Sequence, residues 1–334
     1  MLISNLIPFI FLGLGTSQKL IANGLDKANT VVDGLNRLVQ LGISTEALES
    51  KGLAKKESLP LSPPRIDYGF TPEEIRYYIK HTGISRCSPS QIENNNCFCE
   101  GKFQEARVFI NETFDAHSGI AIDELNSLVV IAYRDTLSEK NWDNNFRSSL
   151  INHPLISGSA KVHDGHLEYV NSLFPQMEPT VVNWLRKHPT YKLHITGYSL
   201  GGSASFISLP FWLNSIATNN LKNKVQLFSY ASPRPGNVDF ARHIESLRIP
   251  IMRYTQKGDV VPHVPDQSMG YSQVGMEYYD TSLPLITLPL IRKSIVPCSL
   301  DVIEDMECSL KDRRFHATLH LSPLQWPAPL PPVC

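Results

Sequence analysis

The chain has 334 residues, of which 42% are hydrophobic, and this is enough apolar material for one large domain with an additional segment. Its 31 basic and 32 acidic residues give a formal net charge of −1 at pH 7, which argues against nucleic-acid binding through a broad basic surface. No uninterrupted apolar run in the sequence reaches the length of a helix that spans a bilayer, so no transmembrane segment is expected.

The N-terminus has the pattern of a secretory signal peptide. An apolar stretch from Leu6 to Leu14 is followed by the small residues Gly15, Thr16 and Ser17, which predicts cleavage near Ser17. A basic residue is missing in front of the apolar core, so a buried N-terminal helix is the alternative. The signal-peptide interpretation covers residues 1–17 and predicts a secreted, extracellular protein.

Residues 18–64 differ in pattern from the rest of the chain. Apolar residues at helical intervals between Val31 and Val39 predict one amphipathic helix, and Lys55-Lys56 and a turn-rich stretch follow it. A propeptide that is removed after export fits this pattern, with the dibasic pair as one candidate cleavage point. A helical N-terminal segment that is retained is the alternative.

The cysteines support export. The six of them form two clusters and a tail: Cys87, Cys97, Cys99, Cys298, Cys308 and Cys334. In a secreted chain this even number predicts three disulfides, whereas a cytosolic protein would keep free thiols. No His has zinc-finger spacing from Cys97 and Cys99, so no metal site is expected. The triplet that begins at Asn111 predicts a glycosylation site.

From residue 65 to 334, predicted strands and helices alternate. Thr71, Pro72 and Glu74 have the pattern of a helix N-terminus. The predicted strands are ARVFINE, SGIAID, NSLVVIAYR, YKLHITGYS, KVQLFSYAS and IPIMRYTQ, and the predicted helices are GHLEYVNSLF, EPTVVNWLRKHP and LGGSASFISL. Such alternation predicts one α/β domain with a central, mostly parallel sheet that is flanked by helices.

One serine lies at the corner between a predicted strand and a predicted helix. In Gly197-Tyr198-Ser199-Leu200-Gly201 the two glycines permit close approach of the chain where it turns, and the Ser199 hydroxyl is left exposed above the sheet. An isolated match to this pentapeptide would be weak, but the strand before it and the helix after it make it specific. The pattern therefore predicts Ser199 as a nucleophile.

A serine nucleophile needs a base, and an acid that orients the base. In this type of fold the acid and then the histidine follow the serine in the sequence. Asp259 is the favoured acid because it follows a predicted strand in a loop bounded by Gly258 and prolines. Less constrained acids are Asp239, Asp266 and Asp280. The candidate bases are His263, His316 and His320, of which His320 is favoured and His316 stays open.

The negative oxygen formed during such a reaction needs two hydrogen-bond donors, which together make an oxyanion hole. The backbone N–H of Leu200, next to the nucleophile, is one candidate. The second is expected in the loop after an earlier strand, within VVIAYRDTLSEKNWDNNF, where Thr136 can add its hydroxyl.

Several ordered blocks resemble the fungal secreted triacylglycerol lipases of class 3, the Rhizomucor-like group. They are VIAYRDTLSEKNW, VHDGHLEYV, HITGYSLGGS, YASPRPGN, KGDVVPHVP and ECSLKDRRFHATLHLSPL. The resemblance implies an α/β-hydrolase fold with a short helical lid and an N-terminal propeptide. It also implies Ser199 as nucleophile, Asp259 as acid, His320 as base, and Thr136 with Leu200 at the oxyanion hole.

The resemblance further implies the disulfides Cys87–Cys334, Cys97–Cys99 and Cys298–Cys308. The chain departs from the family's pattern at a few positions. Asp135 replaces a usual Gly and brings a charge into the predicted oxyanion loop, and Leu319 replaces an Asp often found before the base. Gln273 lies where a His is common, and His166 lies where an aromatic residue is usual.

The segment LSEKNWDNN is expected to form a short amphipathic lid helix that carries Leu137 and Trp142. In the resembled family such a helix covers the serine in water and moves aside at an oil surface. A fixed surface loop with a packed Trp is the alternative.

The leading hypothesis is a secreted serine esterase that hydrolyses triacylglycerols at an oil–water interface through a Ser-His-Asp triad and an acyl-enzyme. No cofactor is expected, and a monomer is favoured. A feruloyl esterase or a phospholipase on the same scaffold is the alternative within the enzyme class. A catalytically silent lipase-like binding protein is the alternative from another class.

Overall fold

The computed structural model describes residues 33–34, 36–37, 58–93, 103–282, 294–312 and 317–320. The helices among them are α1 (Pro72–Tyr78), α2 (Pro89–Glu93), α3 (Glu139–Phe146), α4 (Asp164–Lys187), α5 (Leu200–Thr218), α6 (Val238–Ser246) and α7 (Ala317–His320). The strands are β1 (Phe103–Asn111), β2 (Ala116–Asp123), β3 (Leu128–Tyr133), β4 (Leu150–Asn152), β5 (Lys161–His163), β6 (Lys192–Tyr198), β7 (Val225–Tyr230), β8 (Gly236–Asn237), β9 (Ile251–Gln256), β10 (Tyr271–Ser272), β11 (Met276–Asp280) and β12 (Ile295–Pro297). The predicted signal peptide lies outside the described residues.

The larger sheet orders its strands β1-β2-β3-β6-β7-β9-β11-β12. Its centre, from β3 through β6, β7 and β9 to β11, is parallel, and the antiparallel pairs lie at its two ends. The prediction of a mostly parallel central sheet flanked by helices is confirmed. The first three strands pair antiparallel because the short turns between them leave no room for a crossover helix. A smaller sheet orders its strands β10-β8-β5-β4.

Helix α4 unites two segments that the sequence predicts as separate helices. Pro175 and Pro179 lie inside it, although proline removes a backbone hydrogen bond from a helix interior. The helix continues through them because Leu173, Met177 and Val181, spaced four residues apart, are fully buried in the core. Packing of this face outweighs the lost backbone hydrogen bonds.

The main core lies between the parallel strands and the helices α4 and α5. Ile131, Ile195 and Leu227 are fully buried on neighbouring strands, and Phe206 and Trp212 face them from α5. Each fully buried side chain of this size contributes about 1.5–3 kcal/mol relative to exposure. This packing fixes the carboxyl ends of β3 and β6, where the candidate catalytic segments begin.

Helix α1 begins at the predicted position. The Thr71 hydroxyl accepts a hydrogen bond from the Glu74 backbone N–H at 3.1 Å, and the Glu74 carboxylate accepts one from the Thr71 N–H at 2.9 Å. Pro72 occupies the first turn, where its missing N–H costs nothing. A 3₁₀ turn, Ile79–Arg86, follows α1 and packs against β3.

The described domain includes residues that precede its predicted boundary at residue 65. Backbone hydrogen bonds of 2.8 Å join Leu61 to Asp301 and Leu59 to Ile303. These residues belong to the predicted propeptide, so its last few residues pack against the domain as an added strand-like segment. Among the described residues, no helix combines the length and apolar character needed to cross a membrane.

The cysteine bonds are described in part. Cys298 and Cys308 form a disulfide, which is the pairing that the family resemblance implies. Cys87 is disulfide-bonded as well, with a partner outside the described residues. The predicted Cys97–Cys99 bond and Cys334 also lie outside them. Asn111, the predicted glycosylation site, ends β1, and its side-chain amide lies 3.4 Å from the Ser172 carbonyl oxygen.

Candidate active site

The corner that carries Ser199 joins the end of β6 to the start of α5. Ser199 has a φ of 55°, a backbone conformation that is strained for a residue with a side chain. A Cβ added to Gly197 would lie 2.1 Å from the Gly201 carbonyl oxygen, and one added to Gly201 would lie 2.0 Å from the Tyr133 carbonyl oxygen. Both glycines are therefore required for the close approach of the chain at this corner. Ser199 itself is 8% exposed.

Asp259 and His320 are brought together from distant parts of the sequence. His320 Nδ1 lies 2.8 Å from Asp259 Oδ2 and 3.0 Å from Asp259 Oδ1. Both residues are buried, and the Val261 backbone N–H donates to Asp259 Oδ1 at 2.9 Å. The carboxylate is thus fixed in a dry environment with the imidazole as its partner, which strengthens their attraction.

Tyr198 links His320 to the serine corner. Its hydroxyl donates a hydrogen bond to the His320 carbonyl oxygen, and the centres of the two rings are 5.2 Å apart. Burial raises the pKa of Tyr198 well above its usual value, and the charges of Asp259 and Asp135 raise it further. The hydroxyl therefore stays protonated and remains a donor.

The other candidate residues for acid and base lie elsewhere. His263 lies in the 3₁₀ turn after Asp259, and His316 lies outside the described residues. Within the part of the chain that the structure describes, no hydrogen bond joins the Ser199 hydroxyl to the His320 ring. Such bonds are often long without substrate and shorten when it binds.

The loop after β3, residues 134–138, is called the oxyanion loop below. Thr136 in this loop is 4% exposed, and its Oγ1 accepts a hydrogen bond of 2.8 Å from the Asn145 side-chain amide. Leu200 is the first residue of α5, so its backbone N–H is among those that a helix leaves without an internal partner. Both candidate donors therefore belong to segments that begin at adjacent parallel strands.

Known proteins are similar to this chain in sequence and in fold. The model of the family "Lipase (class 3)" matches residues 130–269. The lipase of Rhizomucor miehei is 28% identical over 257 residues, which cover 75% of this chain and 67% of that protein. Secreted mono- and diacylglycerol lipase A of Penicillium cyclopium is 30% identical over 178 residues, which cover 50% of this chain and 53% of that protein.

The chain is similar to the class 3 lipases over residues 130–269. Its matches to these curated relatives span between about half and two thirds of their length. A solved structure of the Rhizomucor miehei triacylglyceride lipase covers 77% of this chain and 96% of its own, with a TM-score of 0.64 and 23% identity. That similarity supports an α/β-hydrolase fold for this chain.

The departure at Asp135 from the pattern of class 3 lipases has a partner in the structure. The Arg86 guanidinium contacts the Asp135 carboxylate through Nε at 2.8 Å and through Nη2 at 2.5 Å. Asp135 is 6% exposed. Burial lowers the pKa of Arg86, but the charge of Asp135, its hydrogen bond and the nearby Tyr198 together raise that pKa above its usual value. Arg86 therefore neutralises the negative charge of Asp135 within the oxyanion loop, near where a negative oxygen is expected to form.

Arg86→Met is expected to lower kcat for a soluble ester by about ten- to hundredfold. A buried carboxylate left without its partner costs several kcal/mol and repels developing negative charge nearby. Adding Asp135→Asn to this variant removes the stranded charge and should restore most of the activity. Arg242→Met, which removes an exposed pair with Asp239, is the matched control and should change little. Failure of Asp135→Asn to restore kcat would contradict the charge argument.

The Cys298–Cys308 disulfide is connected to the candidate acid. Shortly after Cys308, the Asp312 carboxylate accepts hydrogen bonds from the Gly258 backbone N–H at 2.9 Å and from the Tyr279 hydroxyl at 2.7 Å. Gly258 immediately precedes Asp259. The segment that the disulfide holds therefore also positions the loop of the acid.

The double change Cys298→Ala and Cys308→Ala is expected to reduce activity out of proportion to stability. The bonded cysteines are 10 positions apart, and closing so short a loop stabilises the fold by about 3 kcal/mol at most. We expect the melting temperature to fall by up to about 10 °C. The kcat should fall about tenfold at a temperature where the variant is folded. An unchanged kcat at that temperature would contradict the link from the disulfide to the acid.

Helix α3 forms where the sequence predicts a lid helix. Its first turn is held by Ser138, whose hydroxyl accepts from the Asn141 N–H at 3.2 Å and donates to Asp115 at 2.5 Å. Leu137 precedes the helix, and Trp142 within it is 5% exposed. Helix α3 is therefore anchored at its first turn by Ser138, with Trp142 buried.

Residues of the predicted propeptide lie against α3. A Cβ added to Gly34 would be 2.0 Å from the Trp142 ring, so this glycine contacts the indole directly. The Arg37 guanidinium carbon lies 4.3 Å from the centre of the Phe146 ring, within cation–π distance. Two described residues of the N-terminal segment thus contact aromatic side chains of α3.

Gln273, the residue found where class 3 lipases often have a His, also supports the acid loop. Its side-chain amide donates to the Pro262 carbonyl at 2.9 Å and to the Ser232 carbonyl at 3.0 Å. Pro262 follows Asp259 closely in the chain. Gln273 therefore fixes the acid loop through backbone oxygens.

Sequence reasoning missed Arg86 and Asn145. Arg86 precedes its partner Asp135 by 49 positions, and no local pattern pairs the two. Asn145 follows Thr136 by nine positions within the predicted lid segment. The position of Asn145 near the end of a predicted helix that starts beside the oxyanion loop could have indicated a contact with Thr136.

Proposed function

We propose that the protein is a secreted serine esterase that hydrolyses the ester bonds of triacylglycerols, with Ser199 as nucleophile, His320 as base and Asp259 as acid. The observation that carries the proposal is the buried contact of 2.8 Å between Asp259 Oδ2 and His320 Nδ1 beside the strained Ser199 corner. A serine becomes a useful nucleophile when such an oriented base lies next to it.

Asp259 acts by deciding which nitrogen of His320 carries the hydrogen. A carboxylate only accepts, so Nδ1 donates to it and Nε2 keeps its lone pair. Nε2 takes the proton of Ser199 as Oγ attacks the ester carbonyl carbon, and the imidazolium then protonates the departing alcohol. Water, activated by the same nitrogen, releases the fatty acid and regenerates Ser199.

The oxyanion formed in both steps is assigned to two donors. The Leu200 backbone N–H lies at the start of α5, where the helix dipole favours negative charge. The Thr136 hydroxyl on the oxyanion loop is the second donor. Loss of one such donor costs about 10²- to 10³-fold in kcat.

The acylglycerol substrate is supported by the lid and by the relatives. Ser199 is nearly buried while α3 presents Trp142 to the protein interior, so a long acyl chain needs α3, with Leu137 before it, to move. The named activities of the relatives are lipase and mono- and diacylglycerol lipase. Emulsified lipid is the substrate that favours this movement, because an oil surface binds the apolar face that α3 exposes when it moves.

Secretion and a removable N-terminal segment belong to the same proposal. The Penicillium relative is named as secreted, and disulfides are typical of exported proteins. The contacts of Gly34 and Arg37 with α3 support a propeptide that covers the lid until it is removed. A chain that begins at Ser58 should then hydrolyse emulsified lipid faster than the chain that begins at residue 18.

The test combines labelling with a comparison of substrates. An alkyl phosphonate should label Ser199 stoichiometrically, and absence of labelling would favour a silent binding protein. Rates are then compared for a short soluble ester, emulsified long-chain triacylglycerol, a feruloyl ester and phosphatidylcholine vesicles. We expect the highest rate on emulsified triacylglycerol. A preference for the feruloyl ester or the phospholipid would overturn the substrate assignment.

A further inference from the structure

A chain of hydrogen bonds ends at the Thr136 hydroxyl. The Asn145 amide nitrogen Nδ2 donates to Thr136 Oγ1 at 2.8 Å, and Asn145 Oδ1 lies 3.3 Å from His166 Nε2. On the other side of the ring, His166 Nδ1 lies 2.7 Å from Ser203 Oγ. The chain runs from α5 through α4 to the end of the lid helix and the oxyanion loop.

The donors and acceptors give this chain one direction. Asn145 Oδ1 is an acceptor, so His166 Nε2 carries the hydrogen, and His166 Nδ1 then accepts the Ser203 hydroxyl hydrogen. Burial lowers the pKa of His166 well below its usual value, and His163 lowers it further. The ring is therefore neutral at ordinary pH, with one donor and one acceptor, as both contacts require.

The orientation of the Asn145 amide decides what the Thr136 hydroxyl can do. In the observed orientation the Asn145 NH₂ group donates to a lone pair of Thr136 Oγ1. The single hydrogen of the hydroxyl then points elsewhere and can be donated to a reacting ester oxygen. With the amide reversed, Asn145 Oδ1 would accept that hydrogen and occupy it. Reversal would also place the Asn145 NH₂ against the His166 Nε2–H, donor against donor, so His166 opposes it.

The surroundings hold His166 in this role. Its ring stacks on that of His163, with centres 3.7 Å apart and planes 7° apart. His163 Nε2 lies 3.2 Å from the Asn145 carbonyl oxygen, so the two rings contact both the backbone and the side chain of Asn145. His153, a buried histidine elsewhere, forms its hydrogen bonds with backbone groups: its Nε2 lies 3.0 Å from the Ile207 carbonyl oxygen and its Nδ1 accepts from the Leu155 N–H at 3.2 Å.

We propose that His166 is a positioning residue that keeps the Asn145 amide turned so that the Thr136 hydroxyl donates to the oxyanion. This inference rests on the proposed function, because it assigns a role within the same oxyanion hole. An aromatic residue is usual at position 166 in the resembled family, and a phenyl ring has no hydrogen to offer Asn145.

The experiment compares His166→Phe with His166→Gln on a short soluble ester. A glutamine can donate to Asn145 and accept from Ser203, so kcat should stay within about threefold of the wild type. His166→Phe should lower kcat about tenfold and leave KM within twofold of the wild type. The variant loses the orientation of the Thr136 hydroxyl, which stabilises the transition state and not the bound substrate. His166→Leu is measured as well, in case the phenyl ring prevents folding, and melting temperatures identify folded variants.

A double-mutant cycle connects the effect to Thr136. In a Thr136→Val background the hydroxyl is gone, so His166→Phe should cause no further fall in kcat. Equal kcat values for the Phe, Leu and Gln variants, or a full His166→Phe effect in the Thr136→Val background, would overturn the inference. If the wild type hydrolyses no ester and takes up no phosphonate, the proposed function fails first and this inference falls with it.

Discussion

Ser199→Ala is expected to remove essentially all hydrolysis of a soluble ester, with kcat lower by about 10⁶-fold. The change deletes the one oxygen that attacks the carbonyl carbon, so neither the base nor the oxyanion donors have a reaction to assist. Alanine tolerates the φ of 55° no worse than serine does, so the corner and the melting temperature should be kept. Initial rates and thermal unfolding of the purified protein measure both.

The matched control for this variant is Ser205→Ala. Ser205 lies in α5, which begins directly after Ser199; it is fully buried and donates its hydroxyl hydrogen to the Gly201 carbonyl oxygen at 2.8 Å. Its replacement also deletes one oxygen, costs about 1 kcal/mol of stability, and should leave kcat within a few-fold of the wild type. Turnover near the wild-type rate in Ser199→Ala would mean that the corner does not carry the nucleophile.

Local chemistry made the serine corner predictable. The turn has no room for a Cβ at position 197 or 201, so both positions must be glycine. The serine and its two glycines therefore form a pattern of five residues that can be recognised in the sequence. The parallel sheet was predictable for a similar reason. Each strand has a continuous run of apolar residues, and each helix has apolar residues at helical spacing, so both can be recognised locally. Helix α4 departs from the expectation because buried contacts distant in sequence outweigh its internal prolines.

The polar contacts around the site were not predictable in the same way. Arg86 meets Asp135 and His166 meets Asn145 only because separate elements pack side by side, and a hydrogen bond between two such side chains has no period in the sequence. The sequence did mark both places indirectly. Asp135 and His166 are positions where the chain departs from the pattern of the family that it resembles, and each has a side-chain partner in the structure.

The base presents an intermediate case. Chain order restricts it to His263, His316 or His320, and His263 would have to share the loop of the acid. Which ring meets the carboxylate depends on how the last short helix, α7, docks beside Tyr198. That docking is a tertiary contact, so the sequence alone leaves both His316 and His320 open.

His320→Ala is therefore expected to lower kcat by about 10⁴- to 10⁶-fold, the range found when a triad base is removed. Without the imidazole, the Ser199 proton has no acceptor and the leaving alcohol has no donor. His316→Ala, four positions away, is the matched control and should leave kcat within a few-fold. Rates on a soluble ester measure both variants without any contribution from lid movement at an oil surface.

The two histidine variants should also differ in stability. His320→Ala leaves the fully buried Asp259 carboxylate with the Val261 N–H but without its imidazole, and an unsatisfied buried charge of this kind costs about 1–3 kcal/mol or more. We expect a lower melting temperature in His320→Ala than in His316→Ala, and partial recovery of that temperature when Asp259→Asn is added to His320→Ala. If the melting temperature recovers and activity does not, the Asp259–His320 pair acts in catalysis and also stabilises the loop of the acid. A larger loss of kcat in His316→Ala than in His320→Ala would transfer the role of base to His316.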